Sequence, residues 1–87
     1  MTYAVDLTRT AADQLEDLPT HNEMQSRMLE AIRALGDNPG PPGSVPVEVE
    51  SAERRIRVGD WRALYNINED EKVVTVVRIA HRREAYE

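Results

Sequence analysis

The order of apolar patterns along the chain predicts an α+β domain: a mostly antiparallel sheet of about four strands with an N-terminal helical hairpin packed on one face. Three observations carry this expectation. Tyr3-Ala4-Val5-Asp6-Leu7 alternates apolar and polar residues at period two. Two stretches with apolar residues three and four apart follow. The last third holds strand-like segments from Arg54 to Tyr65 and from Val73 to Ile79. At 87 residues the chain makes one small domain, 1–87, with a modest core.

Tyr3 to Leu7 reads as a first strand. Thr8 or Thr10 serves as the cap of a short helix whose Ala11, Leu15 and Leu18 share a face, and Pro19 ends it. Thr20-His21-Asn22-Glu23 matches a capping box, in which Thr20 and Glu23 bond reciprocally to each other's backbone. The second helix has Met24, Met28, Ala31, Ile32 and Leu35 as its apolar stripe, core residues rather than a cofactor box, and Gly36 is placed as its stop.

Residues 37–46, rich in Pro and Gly, form a loop. Val45, Val47 and Val49 alternate with Pro46, Glu48 and Glu50, the pattern of an irregular edge strand that tolerates proline. Next, Ile56 and Val58 point one way and Arg55 and Arg57 the other. Gly59-Asp60 marks a hairpin turn. On the following strand Trp61, Ala63, Tyr65 and Ile67 share a face, with Arg62 and Leu64 on the other; Trp61 and Tyr65 read as packing residues. Asn68 to Glu71 is a polar turn, and the near-continuous apolar run from Val73 to Ile79 fits a central strand. Arg78 interrupts that run, where pairing with an acid near the sheet edge is its simplest role.

The formal net charge of −5 argues at first against a nucleic-acid binder, but the charge is uneven. Residues 1–50 carry three arginines against nine carboxylates, whereas residues 51–87 carry seven arginines and Lys72 against seven carboxylates. Four arginines face only Asp60 within 54–62, and 78–83 holds three arginines and no acid. One surface is therefore basic while the rest is acidic. The chain has no cysteine, hence no disulfide and no Cys-based metal site. His21 and His81 fall on different elements, so neither a metal nor a cofactor is expected. No apolar run reaches membrane-spanning length and the N-terminus lacks signal-peptide character, which points to a cytoplasmic protein with no membrane association.

The spacing sets the side chains of Arg55 and Arg57 on one face, with Arg62 in cross-strand reach. The C-terminal His81-Arg82-Arg83-Glu84-Ala85-Tyr86 leaves the central strand where it folds over the same face. Fixed guanidinium groups beside an imidazole and a phenol suit cleavage of RNA by its own 2′-hydroxyl. Arginines stabilise the doubly charged phosphorane. Deprotonating the 2′-hydroxyl and protonating the departing 5′-oxygen need titrating groups, and Tyr86 and His81 are the suitable ones.

The stretch Arg54-Arg55-Ile56-Arg57-Val58-Gly59-Asp60-Trp61-Arg62-Ala63-Leu64-Tyr65 and the tail His81-Arg82-Arg83-Glu84-Ala85-Tyr86 resemble the C-terminal half of RelE-type toxins, of the RelE/ParE toxin–antitoxin superfamily. The resemblance covers nearly the whole chain and implies the same RelE/ParE-like fold. It implies a ribosome-dependent endoribonuclease that cuts messenger RNA, with a cognate antitoxin, the ribosome and mRNA as partners. Carried over, Tyr86 is the general base, Arg62 and Arg82 bind the phosphate and leaving group, and Arg55 and Arg57 give electrostatic support. Arg83 adds substrate binding. Arginine is a poor general acid because it keeps its proton at any working pH, so His81 stands as a candidate proton donor. Two other functions fit the same resemblance: a ParE-like inhibitor of DNA gyrase, and a catalytically weak or dead relative that only binds its antitoxin. The latter is favoured by the acidic loop Val45-Pro46-Val47-Glu48-Val49-Glu50-Ser51-Ala52-Glu53, where the family usually carries lysines.

Overall fold

A computed structural model of the protein describes residues 2–18, 23–39, 45–46 and 53–81. Its elements run β1 (Ala4–Leu7), α1 (Arg9–Glu16), α2 (Met24–Ala34), β2 (Val45–Pro46), β3 (Glu53–Val58), β4 (Trp61–Asn68) and β5 (Val73–His81). The α+β architecture is the expected one. The sheet has five strands in the order β1-β5-β4-β3-β2, the fifth being the two-residue β2. All neighbours are antiparallel except β1 and β5, which run parallel because the helices carry the chain back between them. Pro46 lies on an outer strand, where its missing N–H costs no ladder bond. Val47 and Val49, expected to continue this strand, lie outside the described residues.

Thr8 caps α1 as expected: its side chain accepts a hydrogen bond from the Ala11 amide at 3.1 Å. Ala11 and Leu18 are buried and Leu15 is half-buried, so the apolar stripe faces the core. Gln25 of α2 donates through Nε2 to the carbonyls of Leu15 and Glu16, at 3.1 and 3.0 Å, tying the start of α2 to the end of α1. Pro19, the expected helix stop, lies outside the described residues.

One expectation for α2 needs correction. Glu23 is not the third helical residue of a capping box. It sits at the N-cap position in a left-handed backbone (φ 56°) and makes no side-chain cap bond; Thr20 lies outside the described residues. A residue that reverses the chain direction at the helix entrance cannot also return a bond from inside the first turn. Gly36 follows the C-cap Leu35 and so stands at the helix stop, as expected, without a positive φ. It is required for space. Its carbonyl accepts from the Tyr3 amide at 2.7 Å, and a Cβ there would stand 3.0 Å from the Tyr3 carbonyl oxygen and 3.2 Å from Cγ2 of Val5. Gly36 thus lets the end of α2 lie against the start of β1.

The helix-facing side of the sheet is the core. Met28, Ile32 and Leu35 of α2 and Ala11 of α1 pack against Ile56, Ala63, Tyr65, Val74, Val76 and Ile79. Each large apolar side chain buried here contributes about 1.5–3 kcal/mol. Tyr65 is fully buried, and its hydroxyl donates to the Pro39 carbonyl, so the ring is packed without an orphaned polar atom. Trp61 packs on the rim of this cluster, and both aromatics are the packing residues the alternation implied. At the far corner the Tyr3 hydroxyl donates to Glu69 while Lys72 Nζ sits 5.2 Å from the ring centroid. That bond to Glu69, followed by desolvation and the carboxylate's charge, raises the Tyr3 pKa above its ordinary value.

Gly36→Ala is expected to cost about 1–3 kcal/mol, the scale of overpacking a tight contact. Urea unfolding reads it directly; a midpoint equal to the parent's would show that α2 and β1 are not in contact here.

Candidate functional site

The cross-strand register divides the sheet into two faces. Opposite the helices, Arg57 pairs with Arg62, and Arg62 with Ala80. In the next row on that face Arg55 pairs with Leu64, and Leu64 with Arg78. Four arginines from three adjacent strands therefore surround an apolar floor of Leu64 and Ala80, which are 7% and 2% exposed. The following row reads Glu53, Asn66, Thr75 and Asp6, with no cation. Positive charge is thus confined to the half of the face nearest the Gly59-Asp60 turn.

That turn is built as its residue order requires. Gly59 takes φ +60° while Asp60 does not enter the positive region, the pattern of a type II′ turn with glycine first. The tight turn holds β3 and β4 in the register that sets Arg57 across from Arg62. Arg62 is only 4% exposed, and its guanidinium donates to the carbonyls of Trp61 and Gly59 at 3.2 and 3.4 Å. The turn's own backbone therefore holds this side chain. Arg57 is exposed, and Arg55 and Arg78 are half-buried.

β5 reaches this arrangement through a bulge. Leu64 pairs with Arg78 but Tyr65 pairs with Val76, so Val77 is an extra residue in the strand. Strict alternation from Val74 and Val76 would send Arg78 into the core and Ile79 out of it. The extra residue reverses the phase: Ile79 is 2% exposed inside the core, while Arg78 and Ala80 lie on the arginine face. α1 secures this irregularity. The Thr8 hydroxyl donates to the Val77 carbonyl at 3.2 Å, and Gln14 Oε1 accepts from the Ile79 amide at 2.7 Å. These backbone groups lie beyond the last β1 pairing, Leu7 with Val76, and so need side-chain partners.

The same phase change moves His81 away from its expected place. It pairs with Trp61 on the helix side, with its ring edge-on to the indole at a centroid distance of 5.4 Å. The strand continues through His81 instead of ending at Ile79, so the histidine is set by the pleat and stands on the opposite face from Arg57 and Arg62. Of the sequence-predicted residues the structure brings Arg55, Arg57 and Arg62 together. Arg82, Arg83 and Tyr86 lie outside the described residues. Arg78 is the arginine that sequence reasoning did not place in the site; its one signal was a charge inside an apolar strand. Among the described residues no three His, Asp or Glu side chains are placed to hold a metal ion, and no helix is long and apolar enough to cross a membrane.

The family model described as "ParE toxin of type II toxin-antitoxin system, parDE" matches residues 5–86. The chain belongs to this family, within the RelE/ParE toxin superfamily. It is similar to the archaeal RelE–RelB complex of Pyrococcus horikoshii, with 28% identity, a TM-score of 0.81, and 94% of this chain and 97% of that one covered. It is also similar to the toxin–antitoxin complex RelBE2 of Mycobacterium tuberculosis, with 27% identity, a TM-score of 0.78, and 94% and 100% coverage. A toxin described as YoeB/ParE from Agrobacterium tumefaciens shares the fold at 17% identity and a TM-score of 0.75, with 90% and 96% coverage. No curated protein gives a significant sequence match.

Two changes test the register of this toxin's β5. Deleting Val77 removes the bulge and leaves a regular strand in which Arg78 still faces out and Ile79 still faces the core, so it is expected to fold and to cost only about 1–2 kcal/mol, from the lost bond between Thr8 and the Val77 carbonyl. Thr8→Val removes both the helix cap and the bond to the Val77 carbonyl, at an expected cost of about 1–2 kcal/mol. Circular dichroism with urea titration measures both; a deletion variant that does not fold would mean that the extra residue of β5 is not at Val77.

Proposed function

We propose that this chain is the toxin of a type II toxin–antitoxin pair and that it cuts messenger RNA on the ribosome. The observation that carries this reading is the arginine face: Arg57 directly across from Arg62, with Arg55 and Arg78 one row away. Cleavage proceeds by attack of the 2′-hydroxyl oxygen on the adjacent phosphorus, with departure of the 5′-oxygen. The transition state carries extra negative charge on the phosphate oxygens, and fixed guanidinium donors stabilise that charge most when they are already oriented. Arg62, tied to the Gly59 and Trp61 carbonyls, has little freedom left to lose. Arg57 supplies the exposed charge beside it, and Arg55 extends the field.

The remaining roles fall to the C-terminal residues. In this reading Tyr86 takes the 2′-hydroxyl proton as general base, Arg82 stabilises the charge on the departing 5′-oxygen, which takes its proton from water, and Arg83 helps hold the RNA. His81, with its ring on the Trp61 side of the sheet, has no direct path to a phosphate held by Arg57 and Arg62.

A cognate antitoxin completes the proposal. The similar toxins of Pyrococcus horikoshii and Mycobacterium tuberculosis are each described in complex with their antitoxin. A partner that binds only the folded toxin stabilises it by mass action, about 2.7 kcal/mol at a free concentration one hundred times the Kd. Co-purification with the product of the adjacent gene is expected to give a complex with a raised Tm.

The matching family model is named for ParE toxins, which favours a second reading as a DNA gyrase inhibitor. Primer extension on a translated message separates the two. Arg62→Ala is expected to lower the cutting rate about 100- to 1,000-fold, the scale for losing one preorganised donor. Tyr86→Phe is expected to slow cutting while leaving ribosome binding intact. If both variants cut at the parent rate, the assigned site is wrong. If the parent cuts nothing and instead traps gyrase–DNA complexes, the second reading replaces the first.

A further inference from the structure

We propose that Arg78 and Arg55, standing on either side of Leu64, form a second phosphate subsite that holds the RNA phosphate next to the one being cut. This deepens the endoribonuclease reading and rests on it. The register carries the inference. The Arg57–Arg62 row and the Arg55–Leu64–Arg78 row are separated by two residues along each strand, about 6.8 Å at the rise of a β-strand. That separation is comparable to the step between neighbouring phosphates in a single nucleic-acid strand. Two rows of guanidinium groups thus match two consecutive phosphates.

Three further observations point to Arg78 rather than to any polar residue at this position. The Val77 bulge turns it onto the arginine face, and bulges beside functional sites are a recurrent means of re-aiming a side chain. Its backbone pairs with Leu64 of β4 on one side, and on the other its neighbours Val77 and Ile79 are held by the side chains of Thr8 and Gln14. Cations end at its row, since Glu53, Asn66, Thr75 and Asp6 follow on the same face. An RNA strand crossing the face therefore meets two favourable rows and then an acidic one, which limits the grip to two phosphates.

The two rows divide the work. The Arg57–Arg62 row touches the reacting phosphate and sets the maximal rate. The Arg55–Arg78 pair touches a phosphate whose charge does not change during the reaction, so it contributes equally before and during the transition state and sets affinity alone.

The test is single-turnover cutting on ribosomes programmed with a defined message. Wild type is compared with Arg78→Gln and Arg78→Lys, and with Arg33→Gln, an exposed charge on α2, as control. Each is run on an all-phosphate message and on messages with one neutral methylphosphonate immediately 5′ or 3′ of the cut. Arg78→Gln is expected to raise the half-saturating concentration about tenfold, the scale of one charge-assisted hydrogen bond, at an unchanged maximal rate. Arg78→Lys keeps the charge without the fork and falls between. Neutralising the correct flanking phosphate costs wild type the same factor and costs Arg78→Gln nothing more; Arg33→Gln behaves as wild type throughout. The proposal is overturned if Arg78→Gln saturates like wild type, if it loses maximal rate instead of affinity, or if its loss multiplies with that of both methylphosphonates. In those cases wild type still cuts, so the endoribonuclease reading survives. A wild type that cuts nothing removes both.

Discussion

The extra residue at Val77 is the constraint on which the rest of the molecule depends. β5 must meet two demands that a regular strand cannot satisfy together. Val74, Val76 and Ile79 all belong in the core, yet Val76 and Ile79 lie three positions apart, an odd step. A strand of period two sends residues at odd separation to opposite faces. One inserted residue reconciles them, and in doing so it presents Arg78 and Ala80 to the face that carries Arg57 and Arg62. The hydrophobic core and the arginine face are thus two consequences of one irregularity. An unpaired stretch of backbone is the cost, and α1 offsets it with Thr8 on the Val77 carbonyl and Gln14 on the Ile79 amide. The first helix therefore does more than cover the sheet: its cap residue also fixes the phase of the strand beneath it.

The distribution of charge follows the same division. The helices and their connections carry exposed carboxylates, including Asp13, Glu16, Asp17, Glu30 and Asp37. Arg55, Arg57, Arg62 and Arg78 collect on the opposite face of the sheet. A net charge of −5 thus coexists with a basic surface, because what a polyanion meets is the field of the face it approaches. The charge of the whole chain is a poor guide in a domain whose two sides differ this much.

Much of this was legible in the sequence because it depends on local periodicity. The faces of β3 and β4 followed from simple alternation, so Arg55 and Arg57 were placed together and Arg62 beside them. The stripes of α1 and α2, the Thr8 cap and the Gly59-Asp60 turn are likewise decided within a few residues. β5 was not legible in the same way. Val73-Val74-Thr75-Val76-Val77 is apolar on both faces of the pleat, so no residue betrays where the alternation slips. That is why Arg78 was left to the sheet edge and His81 was assigned to the wrong side of the sheet. Gly36 was placed correctly at the end of α2, but its steric requirement was not legible: it comes from the Tyr3 backbone, thirty-three positions away in sequence.

The sequence by itself determined the order of the elements, the two helical faces, the hairpin between β3 and β4 and the concentration of arginine in the last third. Each of these rests on side-chain spacing or on the backbone preference of one or two residues. Only the tertiary structure decided the phase of β5, the parallel docking of β1 beside it and the burial of Arg62 against its own turn. Those features arise where segments distant in sequence compete for the same core volume and the same backbone hydrogen bonds. The outcome of that competition is a property of the assembled sheet and of no single segment within it.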